Sequence, residues 1–347
     1  PIMISNFHKY IYQATGDFNK YTKITYVYVI CYMILNITLA LLFRSQNYIY
    51  YCLTTFIANL LSILGVEFSF IKSNLHVRGI INKRILDNIK VGFFILLGNL
   101  AIVGLFGIDK WFVKLFMTTE DFAYYSFAVS MLNIVNILIN AISITFYNYL
   151  FENNNEDKIS ELKSVLLFLG GISSCAYFAL SFIVNHFIGK YINSLSIIAI
   201  TFSVFPYMIL INALFLNLYK VNKDEKHYLK VMVSILVISI IYNIIALIVF
   251  NSTTAIAVAT VLTLITWVIY SSNDLENVNI DKKTYLYMFG LTVIFLLSAH
   301  YMNWLVGGIS YALFFIIWSY ANNNQIYTIL KKEICNLIKK TKNNSLV

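Results

Sequence analysis

The chain predicts an all-α, polytopic transmembrane bundle of about ten spans with both ends cytoplasmic. Three observations lead there. Of 347 residues, 59% are hydrophobic and only 12% are charged, where a soluble domain carries roughly 25% charged residues. The apolar residues fall in runs long enough to cross a bilayer, which takes about 20 residues per helix. The basic residues sit almost wholly in one set of connections. No soluble core hides that much hydrocarbon, at a mean hydropathy of +0.73, behind so little polar surface. Disorder, a disulfide-stapled secreted domain and an ordinary cytosolic enzyme are excluded.

Ten runs meet the length requirement: residues 24–43, 49–71, 91–115, 122–150, 164–188, 195–219, 230–250, 254–270, 284–300 and 302–320. The third and fourth exceed what a bilayer needs and so protrude or tilt. The last three are short. None alternates in polarity over about ten residues, which rules out barrel strands.

Twenty-one of the 25 Lys and Arg residues fall in segments 1–23, 72–90, 151–163, 220–230, 271–283 and 321–347. The other four are Arg44, Lys110, Lys114 and Lys190. Cytoplasmic loops carry the basic excess, so the first set is inside, as an even number of spans requires. The net charge of +9 is then topological, and nucleic acid is not an expected partner.

No connection is long enough for a separate extramembrane domain. Ser252 and Thr253 mark a tight outer turn, and 151-FENNNEDKISELK-163 is a polar inner loop. The tail 331-KKEICNLIKKTKNN-344 has Ile334, Leu337 and Ile338 at helical spacing. It either lies on the anionic inner leaflet, making membrane lipids a partner, or is a solvated stop-transfer tail. The chain begins at Pro1 without an initiator Met, which fits either Met removal or a fragment lacking upstream helices.

Cys31, Cys52 and Cys175 lie in apolar runs and Cys335 in the tail, none at metal-ligand or CxxC spacing. The five histidines are scattered. There is no P-loop, GxSxG motif or metal cluster, so neither an ATP-driven pump nor a conventional hydrolase is readable, and no cofactor is implied.

With charges scarce, polar residues inside hydrocarbon are the informative ones. The fourth span carries Ser126, Ser130, Asn133, Asn140, Ser143 and Tyr147 at steps of three, four and seven, with Asn136 beside them. Such a stripe on one helical face suits a wet path for a polyhydroxylated ligand, since hydroxyls and amides both donate and accept. Interhelical glue is the competing reading. Glu67 sits one turn from the inner end of the second span, placed either for ion coupling or to pair with loop lysines. Asp109, Lys110 and Lys114 lie in the outer part of the third span, the lysines at i,i+4. Asp109 neutralises neither at ideal helical spacing, which leaves an ammonium for an anionic ligand or for snorkelling to headgroups.

Across 91–151 the order of features resembles the polysaccharide flippases of the Wzx type. These belong to the multidrug/oligosaccharidyl-lipid/polysaccharide exporter superfamily. The pattern is Gly92, mid-span Asn99, the pair Asp109-Lys110, then Tyr125 and Ala128 opening the next helix. The segments 207-YMILINALFLNLYKVNKDEKHYLK-230 and 255-AIAVAT-260 are similar to the family's Asn-x-Tyr helix end and its Gly-Ala-Ala-Ile-Ala-Thr stretch. The prolines usual near Phe94 and Asn148 are absent, and with them the kinks that reshape such carriers; Ala255 stands for the expected Gly.

The resemblance implies a domain plan. Residues 1–90 would be the last two helices of an N-terminal lobe with a linker, and 91–270 a six-helix C-terminal lobe. Residues 271–320 would be two additional helices, and 321–347 a cytoplasmic tail.

It also implies a transporter rather than an enzyme. The cargo would be undecaprenyl-diphosphate-linked oligosaccharide, crossing the bacterial inner membrane by alternating access, with polysaccharide-assembly proteins such as a polymerase as partners. Lys110, Lys114, Ser130, Asn133, Asn140 and Tyr147 are the substrate-binding candidates, and Glu67 and Asp109 the ion-coupling ones. Two alternatives remain: a membrane polymerase or ligase, which usually needs an arginine-bearing long outer loop, and a drug/cation antiporter of the same superfamily, which should show cavity carboxylates.

Overall fold

The computed structural model describes residues 2–14, 16–41, 47–72, 83–152, 156–222, 224–275, 278, 280–323 and 325–328. No strand occurs among them. Among the described residues nine helices, with Asp157–Phe187 taken as one, are each long and apolar enough to cross a membrane, and there are ten if the bent pair Gly189–Phe202 and Phe205–Val221 is one span. The protein is a multi-pass, all-α membrane protein.

The chain divides into two units, Pro1–Ile85 and Leu86–Val347. In the first, α2 (Phe18–Leu41) and α3 (Tyr48–Lys72) pack as a pair, and α1 (Ile2–Ala14) lies against both. The hydroxyl of Thr54 donates to Asn36 Oδ1 across the pair, 3.4 Å.

The second unit holds the long helices α4 (Lys83–Phe116) and α5 (Thr119–Glu152), followed by α6 (Glu156–Ser174) and α7 (Ala176–Phe187). The α4–α5 turn is fixed by Thr118 and Asp121: the hydroxyl donates to the carboxylate (2.7 Å) and accepts the Asp121 N–H (3.1 Å). This reciprocal cap satisfies N–H groups that a helix start leaves unpaired.

A broken span comes next, and it is the centre of the unit. It runs through a 3₁₀ turn, α8 (Leu195–Phe202), α9 (Phe205–Ile209), a π turn (Leu210–Phe215) and α10 (Leu216–Val221), with a 49° bend. Residues 201–211 are buried on every side, as a helix hydrophobic all round requires. Pro206 sets the break: without an N–H it cannot pair with the Phe202 carbonyl four residues back. The Ser174 hydroxyl donates to that carbonyl instead, 3.0 Å. Gly170 lets α6 come this close, because a Cβ there would lie 2.6 Å from Pro206 Cα.

The remaining helices enclose that span. They are α11 (Glu225–Phe250), α12 (Thr253–Asp274), α13 (Lys282–Tyr301) and α14 (Trp304–Asn322). Asp224, Ser252 and Asp281 cap α11, α12 and α13 through backbone N–H groups three residues on. Asn251 closes α11 in the left-handed region, φ 43°. The last two helices pack against α6, α7 and α8 through rings of Tyr177, Phe178, Phe295 and Tyr311, at centroid distances of 5.3–6.0 Å. Lipid tails are as apolar as these side chains, so ring packing and hydrogen bonds hold such helices together rather than hydrophobic burial.

Candidate functional site

Asp109 is the buried carboxyl of the second unit, at 4% exposure. It lies about two turns from the α4–α5 turn, by the 1.5 Å rise per residue. Three groups donate to it. The Tyr125 hydroxyl on α5 reaches Oδ2 at 2.8 Å, and the Thr260 hydroxyl on α12 reaches the same oxygen at a long 3.5 Å. The Lys110 backbone N–H meets Oδ1 at 2.7 Å. One carboxyl thereby joins α4, α5 and α12. A charged side chain inside a bundle is costly and marks function by default.

Beside it is a cavity of about 20 Å³, walled by Asp109, Thr260, Asn133 and Thr201 among apolar neighbours. About 10–15 Å³ admits one water, so this cell, apolar over most of its wall, is the size of one water. Among the described residues no group of three or more His, Cys, Asp or Glu is placed to hold a metal.

The two lysines do not join the carboxylate. Helical geometry turns Lys110 and Lys114 about 100° and 140° away from Asp109. Lys114 is exposed, with its ammonium 5.4 Å from the Trp111 ring, a cation–π contact. Lys110 is half-buried, and its ammonium acts on Asp109 only through space.

The α5 stripe separates into different roles. Ser130, Asn133 and Asn140 are exposed on the second unit, and Asn133 also walls the small cavity. The Ser130 hydroxyl donates to its own helix, to the Ser126 carbonyl at 2.7 Å. Ser143 is packing: it donates to the Asn212 carbonyl (2.6 Å), while the Asn217 amide donates to the Ser143 carbonyl (2.9 Å). These bonds pin the π turn to α5. Ser126 Oγ and Asn136 Oδ1 are buried with no hydrogen-bond partner, a cost of about 1–3 kcal/mol each. The side chains of Glu67 and Tyr147 lie outside the described residues.

At the opposite end of the bundle is a cluster that sequence reasoning missed. His227 Nε2 lies 2.6 Å from Asp274 Oδ2, and the Tyr219 hydroxyl donates to the same oxygen at 2.7 Å. Next to it, Tyr228 donates to Asn99 Oδ1 on α4 at 2.7 Å. Gly98 leaves room for that ring, because a Cβ there would fall 2.4 Å from it. The helix α4 makes few close backbone approaches within the unit. Among the described residues, the side-chain bonds that tie it to other helices are Asn99 with Tyr228 at mid-helix and Asp109 with Tyr125 and Thr260 about two turns from its end.

At the start of α13, burial pushes the Asp281 carboxyl up. Hydrogen bonds from the Thr284 hydroxyl and backbone N–H, with the charge of Lys163, outweigh that and hold it below the ordinary carboxylate value.

Comparison with protein-family models, curated proteins and solved structures finds no match to this chain.

Proposed function

We propose that this chain translocates lipid-linked oligosaccharides across a bacterial inner membrane by alternating access, as the Wzx-type resemblance implies. The observation that carries the reading is Asn133. It is exposed on α5, on the same side as Ser130 and Asn140, and also walls the cavity against buried Asp109. A neutral row of amides and hydroxyls that holds sugars thus adjoins an ionisable group able to take up a coupling ion or proton. Neutralising Asp109 would change the hydrogen bonds joining α4 to α5 and α12, and among the described residues the other polar tie of α4 is Asn99 to Tyr228. The break at Pro206 and its π turn supply a bend in the central span, in place of the prolines absent near Phe94 and Asn148. Lys110 and Lys114 serve the diphosphate, whose charge is costly to bury unpaired.

Loss of the protein should leave fully assembled lipid-linked units on the cytoplasmic face, read by their access to an externally added glycosidase. Lys110→Ala should impair export more than Lys190→Ala. Units displayed outside but unpolymerised would instead establish the polymerase reading. Asp109 also favours a second reading, a cation antiporter. In that case loss would sensitise cells to lipophilic cations and leave the lipid-linked units undisturbed.

A further inference from the structure

The largest open cavity among those described lies away from Asp109, at the end of the bundle carrying the α11–α12 and α13–α14 turns. Its volume is about 660 Å³, within the 300–1,000 Å³ typical of ligand sites. No Lys, Arg, Asp or Glu is among its lining residues, and its two imidazoles are His186 and His300, so the wall carries no fixed charge. What remains is aromatic surface and neutral polar groups.

Those polar groups point to a class of ligand. His186 Nδ1 lies 2.9 Å from the Phe182 carbonyl. A carbonyl only accepts, so Nδ1 donates to it, and Nε2 is the ring's second polar atom. The Asn185 amide nitrogen donates to the Ser181 carbonyl at 2.8 Å, which leaves Oδ1 as an acceptor. Asn303 flanks the start of α14 yet makes no capping bond. Trp304 holds its ring against Phe182 at 4.7 Å, edge-on to His186 at 6.1 Å, and with Tyr177 gives the wall aromatic area.

Interleaved polar groups beside aromatic rings, without a fixed charge, match a sugar. Its hydroxyls both donate and accept, and its C–H faces pack on rings. We infer that this vestibule, built by α7, α8, α12, α13 and α14, binds neutral saccharide. Its place at the end that the charge distribution assigns to the outside makes it a receiving site for the glycan as it leaves. That role rests on the translocation reading, but binding itself does not.

The test uses the full chain purified in detergent and a panel of neutral di- to tetrasaccharides of hexoses and N-acetylhexosamines, followed by native mass spectrometry. Saturable binding of at least one member is expected, weakened fivefold or more by Trp304→Ala and by Asn303→Leu. Asn303→Leu is the safer variant, because Asn303 caps nothing, and a thermal unfolding scan of each protein shows that it is folded. Absence of saturable binding by every member overturns the inference, and so does binding that both folded variants leave unchanged. Free sugars and purified protein keep this result separate from the cellular export assay, so either can fail alone.

Discussion

The bond between Tyr125 and Asp109 is the most exposed joint in the functional reading, and Tyr125→Phe cuts it cleanly. The Tyr125 ring is fully buried at 0% exposure, so the substitution keeps the packing and removes only the hydroxyl at 2.8 Å from the carboxylate. Thr260 cannot take over, because its hydroxyl stands at 3.5 Å and also donates to the Ile256 carbonyl at 3.3 Å. Interhelical hydrogen bonds in membrane proteins average about 0.6 kcal/mol by double-mutant cycle and reach about 1.7. A bond to a charged group is worth about 1.5–3 kcal/mol. A short bond to a buried carboxyl, out of reach of competing water, belongs near the top of the first range.

A coupling energy of about 1.5 kcal/mol is therefore expected from the cycle of Tyr125→Phe, Asp109→Ala and the double variant. The assay is equilibrium unfolding in mixed micelles by SDS titration, followed by circular dichroism. Additivity within about 0.5 kcal/mol, the usual scatter for independent sites, would show that the two side chains do not depend on each other and that this bond does not tie α4 to α5.

Two further outcomes follow from the same structure. Gly170→Ala should lose about 1–3 kcal/mol by overpacking, because its Cβ would lie 2.6 Å from Pro206 Cα and 3.0 Å from the Phe205 carbonyl oxygen. Gly92→Ala, with nothing within 4 Å, should be neutral or slightly stabilising in the same unfolding assay, and equal losses in both would refute the close approach. For orientation, a variant lacking Cys31, Cys52, Cys175 and Cys335 should be labelled from outside the cell at Thr119→Cys. At Lys226→Cys it should be labelled only after permeabilisation; the reverse pattern refutes the charge assignment.

The spans were legible because length and hydropathy alone decide them. The expected run 230–250 lies inside α11, Glu225–Phe250, and 302–320 nearly coincides with α14, Trp304–Asn322. The break in the sixth run was legible in principle, since Pro206 is the single proline inside a span, and a hydropathy count passes over it. Which face of each helix is buried was not legible. In water the apolar face is the buried face, but lipid is as apolar as the core, so Ile134, Ile137 and Leu138 are exposed on α5 while Leu132, Val135 and Ile139 are buried. The stripe from Ser126 to Ser143 was therefore visible as a pattern and opaque as to role.

Charge behaves differently from hydroxyl in this respect. Neither lipid nor core accepts a carboxyl freely, so Asp109 could be singled out from its position alone. Its partners could not, because a hydroxyl in a helix is satisfied by the carbonyl one turn back wherever it falls. Thr260, Thr263, Thr266 and Ser130 all make that bond, to Ile256, Ala259, Leu262 and Ser126. Thr260 also has Asp109 within reach, a fact of packing across 151 residues of sequence. An intramembrane acid thus tells where a site is, and only the fold tells what the acid holds.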